Sequence, residues 1–336
     1  MLFSIMILAL LSSCSAAGNL PATPLPVATS RPAAPASTPV STPAPSPSPP
    51  ATATPGLTSS PTVTQTATLS PTPFPLYGKS LLDETYCTVG SDRLKMDVYF
   101  PQQGGPWPAV VYLHGGAWME GDKAEAQELA KQLTPFGYLV VALNYRMVPG
   151  VHFPALIEDV KCGVRALRAH AAGYNLDAGQ IGAYGFSAGG HLAALLGTSD
   201  ASAGWEVGEY LEQSSRVQAV VDLSGPSDLT KSYPNYSLAS IIRLTFGSSP
   251  EKLAAGSPTS YASRDDPPFL IFHGEADQVV PPDQSQLMYE ALLRAGAFAQ
   301  LVKVKNGDHP LRAEGMSPTR AQMELMILNF LETNLK

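Results

Sequence analysis

Residues 181–191 have the sequence IGAYGFSAGGH, in which an apolar run ends in a serine flanked by glycines. The run before Ser187 is typical of a buried strand, and the small and apolar residues after it predict a helix. Gly185 and Gly189 allow the strand and the helix to approach closely while the serine backbone is strained at the tip of the turn. The pattern therefore predicts a turn that holds the hydroxyl of Ser187 out toward a substrate. The alternative is that the small residues serve only close packing.

Two segments of the chain are expected to supply backbone N–H groups near this serine. A helix that begins at Ser187 presents unpaired N–H groups and the positive end of its dipole, which suit negative charge on an attacked carbonyl oxygen. The sequence HGGAW at residues 114–118 directly follows a continuous apolar run at residues 108–113. Two glycines at the end of a central strand let successive N–H groups turn toward one point, whereas the alternative is an ordinary tight turn.

Strand and helix patterns alternate along the chain from residue 94 onward. Besides the strand before Ser187, strands are predicted at 94–100, 108–113, 138–144, 217–223, 269–272 and 299–304, with helices at 124–133, 155–170, 283–295 and 317–331. The alternation predicts an α/β domain with a doubly wound, mostly parallel sheet of about eight strands and a ligand site at their carboxyl ends. Two stretches of mixed polarity, 198–216 and 231–268, are predicted to form small caps over the cleft.

The first 75 residues have a different composition. Half of the 32 prolines lie between Pro21 and Pro75, where Arg31 is the only charged residue. Residues 20–75, rich in Pro, Thr, Ser and Ala, cannot bury a core and are predicted to be a disordered, polyproline-like tether with an extended reach of roughly 150–170 Å. Residues 76–336 are enough for one large α/β domain.

Residues 1–19 are predicted to be an export signal. Residues 1–11 are almost wholly apolar but too few to span a bilayer. The sequence LSSC at residues 11–14 resembles the lipobox of bacterial lipoproteins, which implies lipidation of Cys14 and a membrane anchor on the extracellular face. No Lys or Arg precedes the apolar run, which departs from the usual signal. The alternative is an ordinary signal peptide cleaved near Ala16, and a secreted protein.

Cysteine content and charge limit the chemistry of the predicted domain. Cys87 and Cys162 could pair in an oxidising compartment, but Cys162 falls in a predicted helix and small buried cysteines are common, so two buried thiols are favoured. The cysteines have no spacing typical of a structural zinc site. The domain carries 20 basic and 28 acidic residues, a net charge of −8, which argues against a nucleic-acid partner.

A nucleophilic serine at such a turn needs a base and an acid, which should follow it in chain order, each beyond a strand. His309 is predicted to be the base because it is the only histidine after Asp277, and Asp277 is predicted to be the acid because it follows the penultimate strand. Asp277 could instead cap the next helix. The rival carboxylates are Glu275, Asp308, Asp222 and Asp228.

Six motifs together identify a family. They are HGGAW at 114–118, NYR at 144–146, GFSAGG at 185–190, DLSGP at 222–226, HGEAD at 273–277 and GDH at 307–309. Across about residues 81–335 the chain resembles the α/β-hydrolase superfamily, and within it the hormone-sensitive-lipase-like esterases and the bacterial acetylxylan and feruloyl esterases. Ala117 departs from the pattern, because many lipase-like members have a third glycine at this position.

The resemblance implies a serine esterase that needs no metal or cofactor. Ser187 would attack an ester carbonyl, His309 would carry the proton, and Asp277 would orient His309. An oxyanion hole would be formed by backbone N–H groups from the set Gly115, Gly116, Ala117 and Ala188.

Further expectations concern the surroundings of the site and the substrate. Trp118 is expected to line the substrate pocket, with a core anchor as the alternative. Residues 144–146 are interpreted as scaffold, with Arg146 paired to Glu158 or Asp159. The predicted substrates are short-chain or polysaccharide-linked acyl esters outside the cell, because neither cap stretch has the long apolar amphipathic helix of a lid that opens on lipid, and because a long tether suits bulky substrates. The alternatives are a peptidase or amidase that uses the same three residues, and an inactive binding module.

Overall fold

The structure, a computed structural model, describes residues 75–336. The predicted signal segment, Cys14 and all but the last residue of the predicted tether lie outside the described residues. The strands are β1 (Ser80–Val89), β2 (Asp92–Tyr99), β3 (Trp107–Leu113), β4 (Leu139–Leu143), β5 (Leu176–Phe186), β6 (Ala219–Leu223), β7 (Phe269–Gly274) and β8 (Ala299–Val304). The α-helices are α1 (Gln127–Leu133), α2 (Ala155–Ala169), α3 (Ala171–Tyr174), α4 (Ala188–Thr198), α5 (Tyr236–Phe246), α6 (Pro250–Ala255), α7 (Asp283–Ala295) and α8 (Arg320–Leu335). Within residues 75–336, no helix is long and apolar enough to cross a bilayer.

The eight strands form one sheet in the order β1-β2-β4-β3-β5-β6-β7-β8. Strand β2 runs antiparallel to both of its neighbours, and every other neighbouring pair of the described sheet is parallel. Strands β3 and β4 are buried along their whole length, as continuous apolar runs predict for central strands of a parallel sheet. The predicted doubly wound, mostly parallel sheet is confirmed.

Helices cover both faces of this sheet. Along β3, Val111 and Leu113 belong to the core layer that contains α2 and α4, whereas Val110 and Tyr112 belong to the layer that contains α1 and α8. This alternation follows from the two-residue period of a strand. The carboxyl ends of the parallel strands therefore meet at one edge, between the two helical layers.

Strand β1 is an edge strand that the sequence patterns do not predict. Its pairing with β2 shifts register between Leu81 and Glu84, and Asp83 within this irregularity has a φ of 59°. A bulge of this kind interrupts the alternation of inward and outward side chains. The sequence of β1 therefore lacks the two-residue period by which the other antiparallel strand was recognised.

The two cysteines of the described chain form a disulfide, so the prediction of two buried thiols was wrong. Cys87 in β1 and Cys162 in α2 have a Cα–Cα distance of 6.4 Å, which is within the range that a disulfide spans without backbone movement. Membership of a helix does not prevent pairing when the partner strand packs across that helix. In the chain-entropy model, closing a loop of 75 residues stabilises the fold by about 4 kcal/mol.

The two stretches predicted as caps lie in different places. The stretch 198–216 is bound along α2: buried Lys161 donates to Glu206 at 2.9 Å, and Arg165 also pairs with Glu206. The stretch 231–268 contains α5 and α6 and approaches the carboxyl edge of the sheet, where Asn235 Nδ2 donates to the carbonyl oxygen of Gln278. Of the two, the second stretch is therefore the one that borders the predicted site.

Candidate active site

Ser187 occupies a strained turn between β5 and α4. Its φ is 55° and its ψ is −118°, a backbone conformation that residues other than glycine rarely adopt. A Cβ atom on Gly185 would lie 2.0 Å from the carbonyl oxygen of Gly189, and one on Gly189 would lie 2.0 Å from the carbonyl oxygen of Leu113. Only glycine fits at both positions. The predicted strand, tight turn and helix are confirmed, and the turn is pressed against the end of β3.

Three predicted side chains form a hydrogen-bonded line at the carboxyl edge of the sheet. His309 Nε2 lies 2.9 Å from Ser187 Oγ, and His309 Nδ1 lies 2.7 Å from Asp277 Oδ2. A carboxylate accepts, so Nδ1 carries the hydrogen and Nε2 is left to accept from the serine hydroxyl. The imidazole is thereby held in the tautomer that can take a proton from Ser187.

Asp277 is buried, accepts three hydrogen bonds and has a fourth polar contact, with His273. Its Oδ1 accepts from the backbone N–H groups of Val279 at 2.8 Å and Val280 at 2.9 Å, while its Oδ2 faces His309 and, at 3.2 Å, His273 Nε2. Burial acts to raise the pKa of this carboxyl group, but the hydrogen bonds from His273 and His309 and the charge of His309 outweigh burial and hold the pKa well below its usual range. Asp277 is therefore a carboxylate at neutral pH.

The alternatives to Asp277 are engaged elsewhere. Helix α7 begins at Asp283 without a side-chain cap, so Asp277 does not cap it. Glu275 is exposed, and Asp308 Oδ1 accepts from two backbone N–H groups of its own turn. Asp222 is buried at the end of β6, where burial raises the pKa of its carboxyl group to about 6. Asp228 Oδ1 accepts from Thr230.

His273, at the end of β7, is a member of the site that sequence reasoning missed. Its Nε2 lies 3.0 Å from the carbonyl oxygen of Val280 and 3.2 Å from Asp277 Oδ2, two acceptors, so Nε2 donates. Its Nδ1 lies 2.6 Å from Ser285 Oγ and accepts from that hydroxyl. The sequence places His273 at a strand end, four residues before Asp277, and this position could have identified it as a member of the site. The motif HGEAD at 273–277 was interpreted only as a mark of the family.

We expect His273→Ala to lower kcat/KM for an ester by roughly tenfold, because a hydrogen bond to a charged group is lost. The loss should fall on kcat and not on KM, because Asp277 acts on His309 during the chemical step. His273→Gln, which keeps an N–H donor, should restore part of the loss. A loss confined to KM, or no rescue by His273→Gln, would leave His273 with a structural role alone.

The loop at residues 114–118 has a run of left-handed backbone. The φ values are 98° at Gly116, 51° at Ala117 and 58° at Trp118. Within the described residues, the backbone N–H groups of Gly116, Ala117 and Ala188 donate to no carbonyl or side chain. Gly115 packs on the residue before the serine, where an added Cβ atom would lie 3.0 Å from a ring carbon. The loop therefore brings unpaired donors beside the serine turn.

Trp118 lies in the core, so its assignment to the substrate pocket was wrong. It is fully buried, and its ring makes edge-on contacts with His191 at 5.2 Å and Phe246 at 5.0 Å between centroids. The left-handed backbone of the loop turns the indole inward, between α4 and α5. The interpretation as a core anchor, left open by the sequence, is the one the structure supports.

The residues that follow β4 are scaffold, as predicted. Arg146 binds Asp159 with its Nη2 at 2.7 Å from Oδ1 and its Nε at 2.9 Å from Oδ2, which selects one of the two predicted partners. The Tyr145 hydroxyl donates to the carbonyl oxygen of His114 at 2.9 Å, and the two rings stack with centroids 4.3 Å apart. Asn144 Oδ1 accepts from the backbone N–H of Lys123. These bonds fix the loop that carries the unpaired N–H groups.

Comparison with known proteins links this geometry to esterases. A family model described as BD-FAE matches residues 96–292. Esterase LipQ of Mycobacterium tuberculosis is 31% identical over 237 residues, which cover 68% of this chain and 56% of LipQ. The chain spans about half the length of the curated relatives it matches.

Two solved structures are similar over most of the described chain. A truncated carbohydrate esterase from gut microbiota has a TM-score of 0.67 and 31% identity, covering 77% of this chain and 97% of that one. An esterase of the planctomycete Thermogutta terrifontis, solved with butyrate bound, has a TM-score of 0.62 and 28% identity, covering 73% of this chain and 91% of that one. The same esterase has also been solved phosphonylated by sarin, with a TM-score of 0.64.

Proposed function

Since the chain belongs to the BD-FAE family and has the α/β-hydrolase fold, we propose that it is a serine carboxylesterase. The observation that carries this proposal is the hydrogen-bonded line from Asp277 through His309 to Ser187 at a strained turn. The proposal is also supported by the esterase activity named for its relatives.

In the proposed reaction, the Ser187 hydroxyl attacks the carbonyl carbon of an ester while His309 Nε2 accepts its proton. The carbonyl oxygen becomes an anion, which the unpaired N–H groups of Gly116 or Ala117 and of Ala188 would bind. In a comparable hydrolase such a donor is worth roughly 3–4 kcal/mol of barrier. The tetrahedral intermediate collapses as His309 gives the proton to the departing alcohol, which leaves an acyl group on Ser187.

The second half of the reaction restores the enzyme. A water molecule takes the place of the alcohol, and His309 removes its proton as the water attacks the acyl carbonyl. The carboxylic acid then leaves and Ser187 recovers its proton from His309. Through both halves, the carboxylate of Asp277 holds the imidazole in place and stabilises its protonated form.

We propose short acyl groups on a large polar alcohol as the substrate class. This finer proposal is supported by the relative solved with butyrate and by the relative described as a carbohydrate esterase. It is also supported by α5, a helix of the stretch 231–268, which has 11 residues and is anchored by buried Phe246. A short anchored helix does not provide the large mobile apolar surface by which a lid opens on lipid.

We expect kcat/KM across p-nitrophenyl esters to fall steeply beyond about four to six acyl carbons. A pocket that cannot accept added methylenes forfeits their burial, about 0.8 kcal/mol each, and adds strain. Turnover of p-nitrophenyl acetate tests the esterase proposal itself, and the series from acetate to palmitate tests the acyl size. Preference for decanoate or palmitate, or a jump in activity at an oil–water interface, would identify a lipase instead.

We also propose that the protein is exported and anchored by lipid at Cys14. The apolar residues 1–11 and the lipobox-like residues 11–14 support export, as does the disulfide between Cys87 and Cys162, since disulfides persist in oxidising compartments. The Pro-rich residues 20–75 would then separate the domain from the membrane.

We expect Cys14→Ser to move the protein out of the membrane fraction of a bacterial host, because acyl chains stabilise the membrane-bound state by about 0.8 kcal/mol per buried methylene. The measurement is the distribution of esterase activity between membrane and soluble fractions. Ser13→Ala, which leaves the cysteine in place, is the matched control. Identical fractionation of Cys14→Ser and the unaltered protein would leave only the cleaved-signal alternative.

A further inference from the structure

Ser285 lies in the first turn of α7, on the opposite side of the His273 ring from Asp277. Its side chain is completely buried, and its Oγ lies 2.6 Å from His273 Nδ1. Within residues 75–336 the Ser285 hydroxyl has no other hydrogen-bond partner. Two acceptors face the other ring nitrogen, so Nε2 carries the hydrogen and Nδ1 accepts from the serine hydroxyl.

The use of both ring nitrogens distinguishes His273 from two other buried histidines of the described chain. His114 Nε2 and His191 Nδ1 have no hydrogen-bond partner, although both side chains are completely buried. Each of those two rings packs against an aromatic ring instead, that of Tyr145 or that of Trp118. Packing therefore holds His114 and His191 with one nitrogen unpaired, whereas hydrogen bonds hold His273 at both sides of its ring.

The turn of α7 that carries Ser285 is fixed by its neighbour in the sequence. Gln284 is completely buried, and its Oε1 accepts from the backbone N–H groups of Ser227 at 2.9 Å and Asp228 at 2.8 Å. The same oxygen accepts from the Tyr233 hydroxyl at 2.8 Å. A group on an anchored helix is held more precisely than a group on a loop. The Ser285 hydroxyl is therefore a hydrogen-bond donor at a fixed position.

The orientation of the His273 ring decides how close its Nε2–H lies to the carboxylate. Nε2 lies 3.0 Å from the carbonyl oxygen of Val280 and 3.2 Å from Asp277 Oδ2, the oxygen that accepts from His309. Without a donor at Nδ1, the ring would be free to turn toward Val280 and away from the carboxylate. The Ser285 hydroxyl opposes this rotation, and so it acts on His309 through His273 and Asp277.

We propose that Ser285 is a positioning residue for the proposed ester hydrolysis. It stands at the far end of a line of five side chains: Ser285, His273, Asp277, His309 and Ser187. The inference rests on the proposed esterase function and extends its machinery to α7. Protons move only at Ser187 and His309, while Ser285 keeps its hydrogen throughout and touches neither the substrate nor the reacting atoms.

The first test is Ser285→Ala, assayed with p-nitrophenyl acetate. We expect kcat to fall about three- to tenfold, the range that corresponds to one hydrogen bond, with KM nearly unchanged. Ser199→Ala is the matched control, because Ser199 is also completely buried and its hydroxyl also makes one hydrogen bond, to the carbonyl oxygen of Leu195. The control should keep the original kcat. An unchanged kcat in Ser285→Ala, or a loss confined to KM, overturns the proposal.

A double-mutant cycle shows whether Ser285 acts through His273. In a His273→Ala background the Ser285 hydroxyl has no ring to hold, so Ser285→Ala should cause no further loss of kcat. The losses from the two single substitutions are then not additive, as expected for residues that act in one network. A loss of the same size in both backgrounds would show that Ser285 acts elsewhere, and it would overturn the proposal.

A spectroscopic measurement does not depend on turnover. Proton NMR follows the hydrogen that His309 Nδ1 donates to Asp277, and nitrogen-15 NMR follows the ring of His273. Both sets of signals should shift in Ser285→Ala and stay in place in Ser199→Ala. If they stay in place in Ser285→Ala as well, the positioning role is overturned. Absence of p-nitrophenyl acetate hydrolysis by the unaltered protein would instead overturn the esterase proposal, so the two failures are distinguishable.

Discussion

Ser187→Ala is expected to lower kcat for ester hydrolysis by about 10⁴-fold or more, with the fold intact. The hydroxyl is the proposed nucleophile, and its hydrogen bond to His309 is the one that would activate it. Alanine removes a single atom from a side chain that is already small and only 9% exposed. Steady-state kinetics with p-nitrophenyl acetate measure the loss, and circular dichroism with thermal unfolding checks the fold.

Ser224 provides a matched control for this substitution. It directly follows β6 as Ser187 follows β5, has a φ of 53°, and carries a buried hydroxyl without a partner in the described residues. Ser224→Ala therefore makes the same atomic change in a similar backbone conformation and should keep the activity. If Ser187→Ala retained more than a tenth of the original kcat, the assignment of the nucleophile would be wrong.

Asp277→Asn is expected to cost about 10⁴-fold in kcat, by analogy with the same change in a well-studied hydrolase. The amide keeps the size of the carboxylate, but it loses the negative charge that stabilises protonated His309. It can also donate, and so no longer fixes the Nδ1–H tautomer. Steady-state kinetics at several pH values would separate the two possible effects. Loss of the base lowers kcat, whereas loss of substrate binding would raise KM, which we expect to change little.

Neighbouring carboxylates supply the comparison for Asp277. Glu275→Gln changes an exposed group two residues away and should leave kcat close to that of the unaltered protein. Asp308→Asn disturbs only the turn that follows His309, where its Oδ1 accepts from Arg312 and Ala313. Equal losses at Asp277 and Glu275, or a larger loss at Asp308 or Asp228, would assign the acid to another residue.

The parts of this fold that the sequence predicted are those with strong local patterns. The central strands are continuous apolar runs because both of their faces are buried, and the turn at Ser187 needs glycines on both sides for steric reasons that any sequence must obey. The chain order of acid and base follows from the position of strand ends in a parallel sheet. The three side chains could therefore be placed together before any coordinates were known.

The features that the sequence did not predict depend on packing between distant segments. The Cys87–Cys162 disulfide requires an unrecognised strand to lie across α2. The indole of Trp118 points inward because the backbone at this position is left-handed, and the residue types there do not predict a left-handed backbone. The sequence shows a histidine at position 273, but it does not predict the contact of His273 with Asp277. The two residues are joined by an irregular turn, and such a turn has no periodic sequence pattern.

The disulfide at the edge strand has a mechanical consequence. In the proposed anchored protein, tension from the cell surface would enter the domain at the start of β1, an outermost strand that could otherwise be peeled from β2 one residue pair at a time. Cys87 lies near the far end of β1 and is bonded to α2. Tension would therefore separate from β2 only the part of β1 that precedes Cys87. Beyond that point the disulfide would transmit the force to α2, a helix that is packed against the core along its length. In that arrangement the cleft at the carboxyl edge of the sheet would keep its shape under tension on β1.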